Sequence, residues 1–322
     1  MPFLIGTDEA GYGPNLGPLV IAASVWKVPE KVTADSLYER LEGVVVPALS
    51  AREDCRLPMA DSKVLFKAGN GLEVLERSVL SALAVANSPA RTWRKLWNSV
   101  VHHDEHCRRF DSLPWHAGFD VDLPVDSPLE AISSALRRLE EGLATANVRL
   151  LELSAAAVFP QEFNELVAQT DSKGEVLSLT TLRLVERALG QLPPGSVQIS
   201  CDKHGGRDRY AALIQHVFPD SLVGIRREGR NESVYRFTHR DQQVDLHFLA
   251  KGERLLPTAL ASMLAKYLRE LAMKPFNEFW QRHIPGLRPT AGYPEDALRF
   301  HGEIAAAQKG LGIANEILWR CR

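Results

Sequence analysis

Short β-rich runs alternate along this chain with helical stretches, and that alternation confines it to an α/β architecture. Phe3 to Thr7 is an apolar strand that ends at Asp8-Glu9, and Leu19 to Val28 is a second run rich in β-branched residues. Between them lies Ala10-Gly11-Tyr12-Gly13-Pro14-Asn15-Leu16-Gly17-Pro18, a tight turn punctuated by glycine and proline. The chain therefore opens as a β-loop-β unit with two carboxylates at the bend. Further strands are expected at Arg149–Val158, Val197–Cys201, Ser221–Ile225 and Val244–Leu249. Helices are expected at Ser36–Glu42, Leu72–Ala86, Leu129–Thr145, Leu177–Leu189, Pro257–Leu271 and Gly302–Lys309. Residues from about 92 to 125 have weak periodicity and hold Trp93, Trp97, Trp115 and four histidines.

The 322 residues suffice for one large domain or two ordinary ones, with a core that needs no staples. Apolar residues at 45% and charged residues at 24% exclude a disordered or fibrous chain. Cys55, Cys107, Cys201 and Cys321 lie far apart and form no CxxC pair, so neither a disulfide framework nor a zinc ribbon is indicated. With no basic leader after Met1, the expectation is a cytoplasmic, reducing environment. The longest uncharged run, Ala10 to Trp26, is broken by Gly11, Gly13, Pro14, Gly17 and Pro18, so no membrane span is expected. A net charge of −2 means that nucleic-acid binding would need a local basic patch. Arg226, Arg227, Arg230, Arg236 and Arg240, against Glu228 and Glu232, form one candidate; a solvated charged hairpin is the plain alternative.

Two adjacent acids at the end of an apolar strand are costly to bury unless a counterion neutralises them. A divalent cation is one solution, because Mg²⁺ takes oxygen ligands from a few carboxylates. Neighbours on a regular strand point to opposite faces, so sharing one metal requires the glycine bend to turn Glu9 back toward Asp8. A capped turn with exposed acids is the structural alternative. A dinucleotide loop is disfavoured: the pattern is GxGxxxG with Pro14 inside, and the next element reads as strand. A second strand delivers Asp202 into His204-Gly205-Gly206-Arg207, and Glu253 follows Lys251-Gly252 before the helix at Thr258. Acids at three strand ends or loops are what a carboxylate-held, two-metal phosphodiesterase needs.

These residues together resemble the type 2 ribonuclease H family. The motifs, in order, are Asp8-Glu9-Ala10-Gly11-Tyr12-Gly13 with Gly17-Pro18, Asp61-Ser62-Lys63, Asp202, Leu260-Ala261-Ser262-Met263-Leu264-Ala265-Lys266, and Gly292-Tyr293. The resemblance implies a ribonuclease H-like fold, a central mixed β-sheet flanked by helices with a C-terminal helical extension. It implies one catalytic domain over 1–322, with an insertion at about 92–147 and the extension from about 272. It further implies endonucleolytic hydrolysis of the RNA strand of RNA–DNA hybrids with two Mg²⁺ or Mn²⁺ ions, by a monomer. Carried over by position, Asp8, Glu9 and Asp202 are metal ligands and catalytic acids. Lys63 is a phosphate contact, Gly11, Tyr12 and Gly13 meet the RNA ribose, Ser262 belongs to the substrate-binding set, and Tyr293 stacks at the sugar where RNA meets DNA.

Three positions depart from the family pattern. Tyr12 stands where the family has Arg or Lys, and a phenol cannot pair with phosphate as a cation does. Gly252 occupies the place of the fourth acid, so Glu253 beside it is expected to supply that carboxylate, with Asp245 as competitor. The 92–147 segment has no counterpart; its His102, His103, His106 and Cys107 could hold zinc at i, i+4 spacing, and a solvated polar segment is the simpler reading. The second Asp-Ser-Lys, at 171–173, lacks similar flanks and reads as coincidence. Two rival functions remain: an inactive nucleic-acid-binding protein on the same fold, and an endonuclease for DNA or branched substrates.

Overall fold

A computed structural model describes residues 2–49, 54–66, 71–86, 89–102 and 110–321. Its centre is a mixed sheet of seven strands in the order β5-β2-β1-β6-β9-β8-β7. The strands are β1 (Phe3–Ala10), β2 (Leu19–Lys27), β5 (Arg149–Val158), β6 (Gly195–Asp202), β7 (Gly224–Arg227), β8 (Glu232–His239) and β9 (Gln242–Leu249). The short β3 (Val45–Val46) and β4 (Leu57–Pro58) pair separately. Within the large sheet β1, β6 and β9 run parallel, while β2, β5, β7 and β8 join antiparallel. The register sets Thr7 against Cys201 and Asp202 against Leu249, so the parallel strands end side by side.

Helices cover both faces, as alternating apolar residues require. Leu4, Val20 and Ala22 face one layer, which holds α3 (Glu73–Ala86), α4 (Trp93–Val100), α5 (Leu129–Ala146) and the long α9 (Leu256–His283). Phe3, Ile5, Ile21 and Ile199 face the other, built from α6 (Pro160–Thr170), α7 (Lys173–Gly190) and α8 (Ala211–Val217). Short α1 (Leu37–Arg40) and α2 (Ser62–Leu65) precede them, and α10 (Pro294–Gly310) packs late in the chain through Ala297, Phe300 and Ile304. No described helix is long and apolar enough to cross a membrane.

The start of α9 is fixed across three strands. The Ser24 hydroxyl donates to the Pro257 carbonyl (2.7 Å), and the Thr258 hydroxyl donates to the Ser200 carbonyl (3.0 Å). A Cβ on Gly6 would lie 2.1 Å from the Pro257 carbonyl carbon, so only glycine lets the helix cross β1 here. The α9 helix passes the expected end at Leu271 and continues to His283, with Pro275 inside it. Seven of these elements lay outside the sequence reading: the short β3, β4 and α2, the helices α4, α6 and α8, and the strand β8. The Arg-rich stretch is the hairpin β7–β8, where Arg227 pairs with Glu232 and Arg236 with Asp245. Of the zinc candidates, His102 lies beside Glu152, while His103, His106 and Cys107 lie outside the described residues.

Candidate active site

β1 runs through Ala10, so Asp8 and Glu9 belong to the strand, paired with Ala22 and Ile21, and the bend comes only after them. This differs from the expectation that the bend itself turns Glu9 toward Asp8. Strand alternation sends the two carboxylates to opposite sides of the strand end. Asp8 takes the side of α9, where the Ser262 hydroxyl hydrogen-bonds it, and its Oδ1 accepts the Glu9 backbone N–H (2.8 Å). Ser262 Oγ also lies 3.1 Å from Ser62 Oγ, which joins the Asp61-Ser62-Lys63 turn to the helix. Asp61 caps that turn by accepting the Lys63 N–H (3.0 Å).

Asp202 ends β6, and its Oδ1 accepts the Gly252 N–H at 2.9 Å. A Cβ at position 252 would sit 3.2 Å from the Asp202 Cα and 3.3 Å from its N, so the site holds glycine against the Asp202 backbone. The acid next to it is Glu253, in the single 3₁₀ turn Gly252–Arg254 between β9 and α9. The Glu253 side chain hydrogen-bonds Asp202. Asp245 is elsewhere: it lies in mid-strand opposite Gln198 and grips Arg236 through both carboxylate oxygens.

The electrostatics bind these acids into one group. Burial, then Asp202, raises the Asp8 carboxyl to about 7, against the Ser262 hydrogen bond. Burial and the neighbouring Asp8 and Asp202 push Glu9 well up, with Lys63 opposing. Burial also raises Asp202, against N–H donation from Gly252 and Lys203, and it raises Glu253 together with the charges of Asp202 and Asp61. Burial works to lower Lys63, but Asp61, Asp8, Glu253 and Asp202 outweigh it and hold the ammonium above its ordinary value. Four acids thus share chiefly one cation. Among the described residues, no three His, Cys, Asp or Glu side chains stand grouped as ligands of one ion.

Glu9 opens onto a cleft of about 590 Å³ lined also by the Gly11-Tyr12-Gly13 bend, Ser62, Lys63, Lys266, Arg269 and Tyr293. The bend is held from beneath by the buried Arg269, whose guanidinium donates to the Leu16 and Ala291 carbonyls. Gly11 has φ +89°, and a Cβ there would lie 2.5 Å from Arg269 Nε. The Gly292 carbonyl accepts the Asn15 N–H (2.8 Å), which docks the Gly292-Tyr293 pair on the bend. Tyr293 is half exposed at the cleft mouth. The structure thus brings all ten expected site residues to one end of the sheet. It adds Arg269, which sequence reasoning missed although it lies three residues beyond Lys266.

No protein-family model matches the chain, and no curated protein matches it. Solved structures do. The PCNA:RNase HII complex from Archaeoglobus fulgidus superposes with a TM-score of 0.47 at 14% identity, covering 99% of this chain and 94% of that one. Ribonuclease H2 from Pyrococcus horikoshii OT3 gives a TM-score of 0.48 at 17% identity, covering 98% and 92%. Bst-RNase HIII in complex with Mn²⁺ gives 0.42 at 14% identity, covering 99% of this chain and 66% of that one. The chain is similar in structure to these type 2 ribonucleases H.

Proposed function

We propose that the protein is a metal-dependent endoribonuclease that hydrolyses the RNA strand of RNA–DNA hybrids. One observation carries the reading: Asp8, Glu9, Asp202 and Glu253 interact with one another near the ends of β1, β6 and β9, with Lys63 as their shared cation and Glu9 and Lys63 lining the adjoining cleft. Their donors are all carboxylate oxygens carrying more negative charge than the protein neutralises, which fits Mg²⁺ or Mn²⁺. In this reading the four acids hold two such ions, which would supply Lewis-acid stabilisation of the displaced oxygen and an activated water. Ser262 fixes the Asp8 carboxylate, and the Gly252 N–H fixes Asp202. Lys63 meets a backbone phosphate, while the Gly11–Gly13 bend and Tyr293 receive the ribose side of the strand.

We further read 1–322 as one catalytic unit with an insertion at about 92–147 and an extension from about 272. Support comes from one large apolar cluster that contains Leu96 and Leu143 together with Trp26, Leu256, Phe276 and Phe300. Action in the cytoplasm as a monomer completes the proposal. The second reading is a hybrid-binding protein without cleavage, for which Tyr12 and Gly252 at two positions of the resemblance are the reasons. A labelled RNA–DNA hybrid, duplex DNA and branched DNA incubated with Mg²⁺ or Mn²⁺ separate these. Cleavage restricted to the RNA strand is expected; binding of the hybrid without cleavage under either metal overturns the nuclease.

A further inference from the structure

The Gly11-Tyr12-Gly13 bend carries no positive charge of its own, and cations from two other elements stand near it. The Lys173 ammonium lies 5.1 Å from the centroid of the Tyr12 ring. Lys173 opens α7 just after Ser172, whose hydroxyl accepts the Glu175 N–H (3.3 Å), so the lysine is set by a capped helix start. On the other side, the phenol hydroxyl would stand 3.0 Å from a Cβ on Gly205 and 3.5 Å from one on Gly174. Two glycines thus make room for the ring between α7 and the turn after β6. Gly205 and Gly206 have φ of 55° and 81°, the left-handed region, and the turn closes with Arg207 N–H on the His204 carbonyl (3.1 Å). Arg207 follows two residues after Gly205 in that turn, and its charge opposes the burial and the Glu9 charge that raise the phenol's pKa.

Both cations are half-buried, and among the described residues neither makes an ion pair or a side-chain hydrogen bond. The other cations near the acids are occupied: Lys203 by Asp208 and Ser233, and Lys266 by Glu270. A ring face holds an ammonium in place without neutralising it. The lysine of the second Asp-Ser-Lys therefore has a position beside Tyr12, although its sequence flanks gave no sign of it.

We infer that Lys173 and Arg207, from the start of α7 and the turn after β6 that both border Tyr12, form a phosphate clamp gripping the backbone of a nucleic-acid strand that enters the cleft. Tyr12 is its spacer, and the inference rests on the nuclease reading. The clamp takes over the electrostatic work that a basic residue at position 12 would do. Each lost phosphate contact removes released counterions and so flattens the salt dependence of binding.

The test is binding of a labelled RNA–DNA hybrid to the full chain in EDTA across a salt series, for wild type, Lys173→Gln, Arg207→Gln and the double variant. Each single variant is expected to lower the slope of log affinity against log salt by about 1, and the double variant by about 2. Lys173→Arg is expected to restore the slope, which a purely structural lysine would not require. With metal present, the losses fall on KM more than on kcat. Unchanged denaturation midpoints certify the folds. Wild-type binding with slopes unaltered in both variants overturns the clamp alone. A wild type that binds no hybrid overturns the nuclease reading and the clamp with it.

Discussion

Asp8 and Asp202 repel one another inside a partly dry site, so each substitution there should act oppositely on activity and stability. Asp8→Asn or Asp202→Asn keeps shape but removes charge from the proposed ion cage. Cleavage should fall by roughly a thousandfold, about 4 kcal/mol of transition-state stabilisation. The denaturation midpoint should stay level or rise, because repulsion with the other acids is relieved. Near-normal hybrid cleavage by either variant would remove that residue from the mechanism. Mg²⁺ or Mn²⁺ should raise the wild-type melting temperature and leave Asp8→Asn largely unmoved; equal shifts in both would place the ions elsewhere. Position 252 tests the geometry differently. Gly252→Ala puts a methyl 3.2 Å from the Asp202 Cα, tight enough to shift that backbone by a few tenths of an ångström. A roughly tenfold drop in rate for about 1 kcal/mol of stability is expected; an unchanged rate would show that Asp202 tolerates the displacement. At this scale the sequence was readable wherever acids followed apolar strands. It could not place Lys173 beside Tyr12, because that contact joins residues far apart in the chain through folding alone.

Elements were legible where one periodicity dominated. The apolar runs of β1, β2, β5, β6 and β9, and the stripe of α5, stand near their expected limits. β8 was hidden by its charges: Arg236 and Glu232 drew attention to the outer face, while Ser233, Tyr235 and Phe237 alternate inward and are buried. α6 was hidden by Pro160, which reads as a breaker yet stands at the first turn, where proline is tolerated. α9 outran its expected end because Pro275 did not stop it; Phe276 and Trp280 remain buried beyond it. The junction of this helix with the sheet gives the sharpest element-scale prediction. Gly6→Ala forces a methyl into the Pro257 backbone, which cannot swing aside as a side chain can. The cost should be about 3 kcal/mol or more in chemical denaturation. A loss under about 1 kcal/mol would mean that α9 shifts freely over β1, and with it Ser262 over Asp8.

Across the whole molecule, aromatic rings join the segment that holds Trp93, Trp97, Phe110 and Trp115 to the rest, and α4 within it buries Trp93, Leu96, Trp97 and Val100 on one helical face. Trp97 stacks on Phe110 at 4.5 Å, and Trp115 meets Phe276 of α9 edge-on at 5.1 Å. His116 stacks on Phe110 at 4.3 Å and is fully buried. Burial, helped by the Arg94 charge, depresses its pKa to about 3 from an ordinary 6.5. The sign of the consequence follows directly. Below pH 6.5 the unfolded chain takes up a proton that the folded chain refuses until about pH 3, so this residue costs stability as pH falls through that window. The slope is about 1.4 kcal/mol per pH unit. Asp8 works the other way, because its folded carboxyl, raised to about 7, protonates before the unfolded one does. The two must be separated by difference. Urea denaturation of wild type and His116→Leu should therefore be compared at pH 6.5, 5.5 and 4.5. His204, depressed in the same way, is present in both proteins and cancels. The stability of wild type relative to the variant should fall by about 2 to 3 kcal/mol from pH 6.5 to 4.5. Parallel pH curves for the two proteins would mean that His116 finds a proton acceptor or water in its pocket, and that the aromatic cluster is not the dry joint between this segment and α9.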